Sequence, residues 1–289
     1  MTLSSPYTRY LRLLGFNRHP TGIEGLRLLV ESHLCRVPFE NVSKLLLLGN
    51  EGAGRAITLE EYLDGIEHFD LGGTCYSCNP YFADLLRAIG YNATLLGADM
   101  TTPNVHTCIR VSLYRTAYHV DVGFAAPFRA PIALDRLPHE ISEGQQQYIF
   151  DRCPGGYQMR ERSGEKHIPS YTVHDPPRTL DFFAAIIRDS FAPAAHFLNR
   201  LRIARFFEDH FVELVNGRMS VHRGGVTTHR ELTTLAELQE AIRTDFAMPR
   251  CPVAEAVAIL ERHTGKPFFD ATAKPPSRPA APPRSSGSA

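Results

Sequence analysis

"DLGGTCYSCNPYF", residues 70–82, sets two cysteines three positions apart just behind a pair of glycines. Three readings compete: half of a metal site, a redox pair, or a nucleophile with an unrelated neighbour. A structural zinc site takes four ligands, usually as two paired knuckles, and the chain has no second Cys-x-x-Cys and no His-x-x-x-His. Redox Cys-x-x-Cys motifs sit between a strand and a helix of a βαβ unit; here the pair follows a helical region and precedes an antiparallel one. The glycines favour the nucleophile, because they let the backbone turn sharply and pass close to a substrate. A following helix adds free N–H groups that favour a thiolate. Pro80 leaves the start of that helix open. Either Cys75 lies on a short, kinked first turn, or Asn79 caps a helix that begins with Pro80.

Upstream of this stretch the chain reads as helices. Thr21 with Glu24, and Thr58 with Glu61, have capping-box spacing ahead of apolar runs. Phe82, Leu85, Leu86 and Ile89 continue the helical period, and Gly90 stops it. From about residue 93 the period changes to short β-rich runs: "NATLLGADM", "HTCIRVSLY", "TAYHVDVGF", "QQYIFDR", "YQMRER" and "PSYTVHD". Consecutive strands without intervening helices predict an antiparallel sheet or barrel. "FAAIIRDSFAPAAHFLNRLRIARFF" is mixed and gives no single period. Asn216-Gly217 between two alternating runs predicts a type I′ hairpin, and two helices close the fold. The Pro/Ser/Ala-rich stretch 274–289 is expected to be a disordered tail.

A cysteine nucleophile needs a base, and the base needs an orienting partner. His106 opens "HTCIRV" and Asp121 lies in "YHVDVGF", 15 positions later (121 − 106). If the two runs form a hairpin with a four-residue loop, His106 faces Asp121 at ~5 Å between side-chain bases. A two-residue loop at Tyr114-Arg115 makes them diagonal neighbours at ~7–8 Å. Both registers keep the pair on one face, and His119 on that face is a rival base.

Composition narrows the class. The 289 residues carry 31 Lys+Arg against 31 Asp+Glu, so no global field draws the chain to nucleic acid or to an anionic membrane. Apolar runs such as Leu45 to Leu48 are far short of a bilayer span, and the N-terminus lacks a secretory pattern. Six scattered cysteines do not make a disulfide framework. A cytoplasmic enzyme or binding protein is expected, with no metal.

These residues together resemble the arylamine N-acetyltransferases. "VPFEN" at 37–41, "GGTCYSCN" at 72–79, the histidine before "TCIRV" and "DVGF" at 121–124 follow the family's order, and the resemblance covers roughly residues 5–270. It implies an α+β fold: an N-terminal helical bundle over 1–92 carrying the nucleophile, a central antiparallel β-barrel over 93–190 carrying His and Asp, and a C-terminal α/β lid over 191–273, with a cysteine-protease-like core. It assigns the nucleophile to Cys75, the base to His106 and the orienting acid to Asp121. Val105 matches a position that contacts CoA through its backbone, while Phe39 and Phe124 match aromatics of the acceptor pocket. Cys78 falls at a variable position.

The resemblance implies transfer of an acetyl group from acetyl-CoA, as co-substrate rather than resident cofactor, to an aromatic amine or hydrazine. The route is a Cys75 thioester. An amide synthase or cysteine hydrolase with the same triad, or a non-catalytic scaffold, is the alternative. Four features depart from the family pattern. Leu71 stands where the family has Arg, Ser77 where it has an acidic residue, and Ala125 where it has Gly in a loop that accommodates CoA. Cys75 and His106 are also closer in sequence, 31 positions apart (106 − 75).

Overall fold

A computed structural model of the chain describes residues 4–143, 146–163 and 166–269, so the tail expected at 274–289 lies outside the described residues. The first part is helical: α1 (Ser5–Leu13), α2 (Gly22–Arg36), a two-residue strand β1 (Phe39–Glu40), α3 (Val42–Glu51), α4 (Leu59–Phe69) and α5 (Cys75–Ala88). Thr58 caps α4 in a full capping box with Glu61. Thr21 makes no such bond at the start of α2; Glu24 is drawn to Arg27 instead, at 2.7 Å. Leu26, Leu29, Val30, Phe82, Leu85 and Leu86 meet in a common core with no more than trace exposure.

Eight antiparallel strands follow: β2 (Asn92–Asp99), β3 (His106–Leu113), β4 (Thr116–Val120), β5 (Ile132–Ala133), β6 (His139–Glu143), β7 (Gln146–Cys153), β8 (Gly156–Ser163) and β9 (Lys166–Pro177). Their spatial order, β5-β4-β3-β2-β9-β8-β7-β6, is that of a nearly closed barrel around Phe128, Phe150, Met159, Tyr171 and Val173. α5 packs on β2 and β3, which brings its first turn to the barrel mouth.

The mixed stretch resolves into α6 (Ala184–Asp189), short 3-10 turns and strand β10 (Arg202–Phe206). Strands β11 (His210–Val215), β12 (Arg218–Arg223) and β13 (Val226–Glu231) and helices α7 (Leu235–Thr244) and α8 (Val253–Thr264) complete the fold. The β11–β12 loop has the two residues expected, with Asn216 left-handed at φ 54. The pair of left-handed residues that a type I′ turn requires is found one hairpin later, at Gly224 (φ 56) and Gly225 (φ 80). β1 pairs with β10, so "PFEN" forms the edge of the second sheet as well as a helix-to-helix turn. Among the described residues no helix is long and apolar enough to cross a membrane.

Candidate active site

α5 begins at Cys75, with Thr74 in the N-cap position and Pro80 inside the helix. Of the two starts that Pro80 left open, the first is the observed one. Asn79 is therefore no cap. Its buried amide crosses to the barrel instead: Nδ2 donates to Thr107 O at 2.5 Å and to Asp121 Oδ1 at 2.8 Å, and Oδ1 accepts from Val122 N at 2.9 Å. One side chain thus ties α5 to β3 and to the loop after β4.

That hairpin has the two-residue loop, Tyr114-Arg115, closed by the pair Leu113–Thr116, with Tyr114 left-handed at φ 56. The register runs to Ile109–Val120, so His106 and Asp121 are diagonal neighbours on one face. A slip of one residue would turn either side chain away. In the observed register His106 Nε2 meets Asp121 Oδ2 at 2.7 Å, and both side chains are almost wholly buried. Asp121 Oδ1 also accepts from Gly123 N at 3.0 Å. Burial resists ionisation of Asp121, yet the charge of His106 and these donors hold its pKa below the ordinary value.

For His106, burial by itself favours the neutral ring. The charge of Asp121, followed by that of Cys75, overrides burial and raises the pKa to about 10. Cys75, at the first position of α5, is buried. Its Sγ lies 4.0 Å from Val105 O, and Thr107 Oγ1 donates to the Cys75 carbonyl at 2.8 Å. Gly123 is required here: a Cβ on it would stand 2.6 Å from Cys75 Cα and from Asn79 Nδ2.

The half-buried Phe124 ring sits edge-on to His106 at 5.5 Å and stacks on Phe128 at 5.9 Å. Phe39 lies at the bridge to Gly73, edge-on to Phe197 at 5.9 Å. The rival base, His119, is buried between Tyr157 Oη (2.9 Å) and Tyr171 Oη (3.1 Å), and burial pulls its pKa down to about 4. It is a core histidine. Cys78 is buried with its Sγ 3.7 Å from Gly73 O, and burial raises its pKa far above the usual thiol range. Arg129 is half-buried: it donates to Phe207 O at 2.7 Å and sits 3.7 Å from Glu143.

Leu71 is the apolar replacement among the departures. It packs with Val42, Leu45 and Ile203, while the buried Glu40 carboxylate accepts backbone N–H bonds from Ser43 (2.8 Å) and Gly72 (3.1 Å). Burial still raises the Glu40 pKa, against the pull of those donors. Two further residues join the site in roles the sequence reading did not give them. Asn79 was read as a candidate helix cap and as part of the cysteine motif. Tyr171, 4.9 Å from the His106 ring, was only an apolar member of a strand. Among the described residues no group of three or more His, Cys, Asp or Glu is placed to hold a metal.

Comparison with known proteins agrees with this architecture. A family model described as N-acetyltransferase matches residues 22–249. Among curated relatives, an arylamine N-acetyltransferase of Mycolicibacterium smegmatis is 25% identical over 253 residues, covering 83% of this chain and 90% of that protein. An arylamine N-acetyltransferase / N-hydroxyarylamine O-acetyltransferase of Salmonella typhimurium is 26% identical over 208 residues, 65% and 68% of the two chains. Among solved structures, Mycobacterium marinum arylamine N-acetyltransferase in complex with CoA superposes with a TM-score of 0.75 at 23% identity, covering 89% of this chain and 98% of that one; at that identity the likeness speaks for the fold. The fold is therefore that of an acyl-transferring enzyme. The chain belongs to the arylamine N-acetyltransferase family.

Proposed function

We propose that the protein moves an acetyl group from acetyl-CoA to the nitrogen of an aromatic amine or hydrazine, in two steps through a thioester on Cys75. The Cys75 thiolate, paired with the His106 imidazolium, attacks the acetyl carbonyl. The C–S bond to CoA breaks, and His106 gives its proton to the departing CoA sulfur. The amine then enters the same cleft, passes a proton to the now neutral His106 as it attacks the Cys75 thioester, and leaves as the amide; Cys75 departs as thiolate and the imidazolium is restored. Asp121 holds the ring and stabilises its positive form. Backbone N–H groups at the start of α5 are the oxyanion donors.

The observation that carries this reading is the 2.7 Å His106–Asp121 pair, with the loop that follows Asp121 packed at Gly123 against the backbone of Cys75. The CoA bound by the M. marinum relative supports an acyl-CoA donor. Val105, whose carbonyl faces the sulfur, meets CoA through its backbone, and Phe39 and Phe124 line the acceptor side. No resident cofactor is needed. Initial rates with acetyl-CoA and aniline test the scheme: parallel double-reciprocal lines are expected. Intersecting lines, or transfer that survives Cys75→Ser, would reject it.

A further inference from the structure

β2 ends at Asp99 and β3 opens at His106, and the last pair of their ladder is Ala98–His106. Val105, whose carbonyl lies 4.0 Å from Cys75 Sγ, therefore stands one residue outside the sheet. Residues 100–105 belong to no strand, yet the wall beside the sulfur is built from the last of them. Downstream of His106 the nucleophile turn is tied to β3 at Thr107: Thr107 Oγ1 donates to Cys75 O at 2.8 Å, and Asn79 Nδ2 donates to Thr107 O at 2.5 Å. Upstream of His106 the tie is made at one residue, Asn104.

Two side chains hold Asn104 from opposite ends. Tyr76, the residue after the nucleophile, donates its hydroxyl to Asn104 O at 3.1 Å. Asp99 Oδ1 accepts from Asn104 N at 2.8 Å, and Asp99 Oδ2 is itself held by His174 Nε2 at 2.7 Å. Asn104 has a left-handed backbone, φ 56, which asparagine tolerates better than most residues. Its side-chain oxygen lies against Gly97, where an added Cβ would collide with it, so the loop can approach β2 this closely because position 97 is bare. The half-buried Tyr76 ring packs on Phe183 at 5.8 Å, and Phe183 is anchored with Leu95 and Ile187 in a small core of its own. The hydroxyl is thus delivered from a fixed ring. Burial, and after it the charge of Cys75, raises the Tyr76 pKa, so the hydroxyl remains a donor at neutral pH.

We propose that Tyr76 and Asp99 are positioning residues for the donor half of the reaction. They grip Asn104 at its carbonyl and its N–H, and so set Val105 beside the sulfur as a fixed backbone for the arm of acyl-CoA to lie along. Thr107 and Asn79 hold the turn independently on the other side of His106, so losing the grip loosens Val105 and leaves His106 and Asp121 paired. The inference rests on the acyl-transfer reading for the half-reaction it affects, but not for its first test.

CoA binding followed by calorimetry reads the grip without turnover. Tyr76→Phe removes one donor and little else, and should bind CoA about tenfold more weakly than wild type, as the loss of one hydrogen bond implies. Asp99→Ala should weaken binding likewise, whereas Asp99→Asn keeps an acceptor for Asn104 N and should retain most of the affinity. Kinetics then separate positioning from a general loosening of the fold. In Tyr76→Phe, kcat/KM for acetyl-CoA should fall about tenfold while kcat/KM for aniline holds. Acetylation of Cys75 by p-nitrophenyl acetate, a donor with no pantetheine arm, should hold as well. Wild-type CoA affinity in Tyr76→Phe overturns the proposal, and so does an equal fall with both acetyl donors. Acetylation of the wild-type protein by acetyl-CoA, measured alongside by intact mass, tests the acyl-transfer reading separately.

Discussion

Asp121→Asn exchanges one oxygen for an amide nitrogen of the same size and removes one charge. The structure contains its own control for the consequence. His33, enclosed by Tyr10 and Tyr62 hydroxyls at 2.9 and 3.1 Å, and His119 are as buried as His106, and neither touches a carboxylate. Burial takes them to about 3 and about 4, whereas His106 stands at about 10. Removing the largest opposing charge should bring His106 from about 10 to below about 7, which corresponds to about 4 kcal/mol of lost preference for imidazolium. In protein labelled with ¹⁵N-histidine, the His106 ring signals, identified by their loss in His106→Gln, should report imidazolium from pH 7 to 9 in wild type. At pH 7.5 they should report a neutral ring in Asp121→Asn. An imidazolium that persists in the variant at pH 7.5 refutes the electrostatic account. Stability carries the same signature. With its folded pKa raised, His106 stabilises wild type fully below about pH 6.5 and loses that contribution as pH climbs through about 10, a decline the variant should lack.

Four further outcomes follow from other parts of the structure. His33 and His119 have depressed folded pKa values, so the unfolded chain takes up their protons first. Each should cost about 1.4 kcal/mol per pH unit between pH 6.5 and 4.5, read from urea midpoints; a flat profile contradicts their buried, neutral state. Asn79→Ala strips Val122 N–H of its acceptor and Asp121 of a donor, and should lower stability by about 2–4 kcal/mol in denaturant titrations. Thr58→Ala removes the oxygen that accepts from Glu61 N, and should cost about 1 kcal/mol by the same measurement, with transfer rates unaffected. Cys78→Ala should leave acylation of Cys75 in place while losing about 1 kcal/mol of stability; loss of acylation at full folding would give Cys78 a role that its burial argues against.

What the sequence made legible was local. The cysteine turn could be read because two glycines, a cysteine and a helix start lie within a few residues. The His106–Asp121 relation could be read because strand alternation keeps both on one face in either hairpin register. Choosing between the registers depended on Tyr114 accepting a left-handed backbone, which a tyrosine does not advertise. The unread features are pairings across long sequence separations. Asn79 looked like a cap because it precedes Pro80, but its amide serves a strand 28 residues away and a loop 42–43 away. Nothing near Phe39 announces a partner strand at Ala204. His119 and Asp121 share a face and differ only in what the barrel closes over them, two tyrosine hydroxyls in one case and the imidazole and α5 in the other. Residues 180–201 resisted assignment because 3-10 turns and a six-residue helix are too short to establish a period.

All of the chemistry assigned to this chain passes through a single covalent species. Intact-mass spectrometry of the protein after brief exposure to acetyl-CoA, with no amine present, reads it directly. The account predicts a mass gain of one acetyl group on wild type, mapped by peptide digestion to Cys75, absent in Cys75→Ser and discharged when aniline is added. An unmodified wild-type protein under saturating acetyl-CoA, or an acetyl group found on another residue, would contradict it.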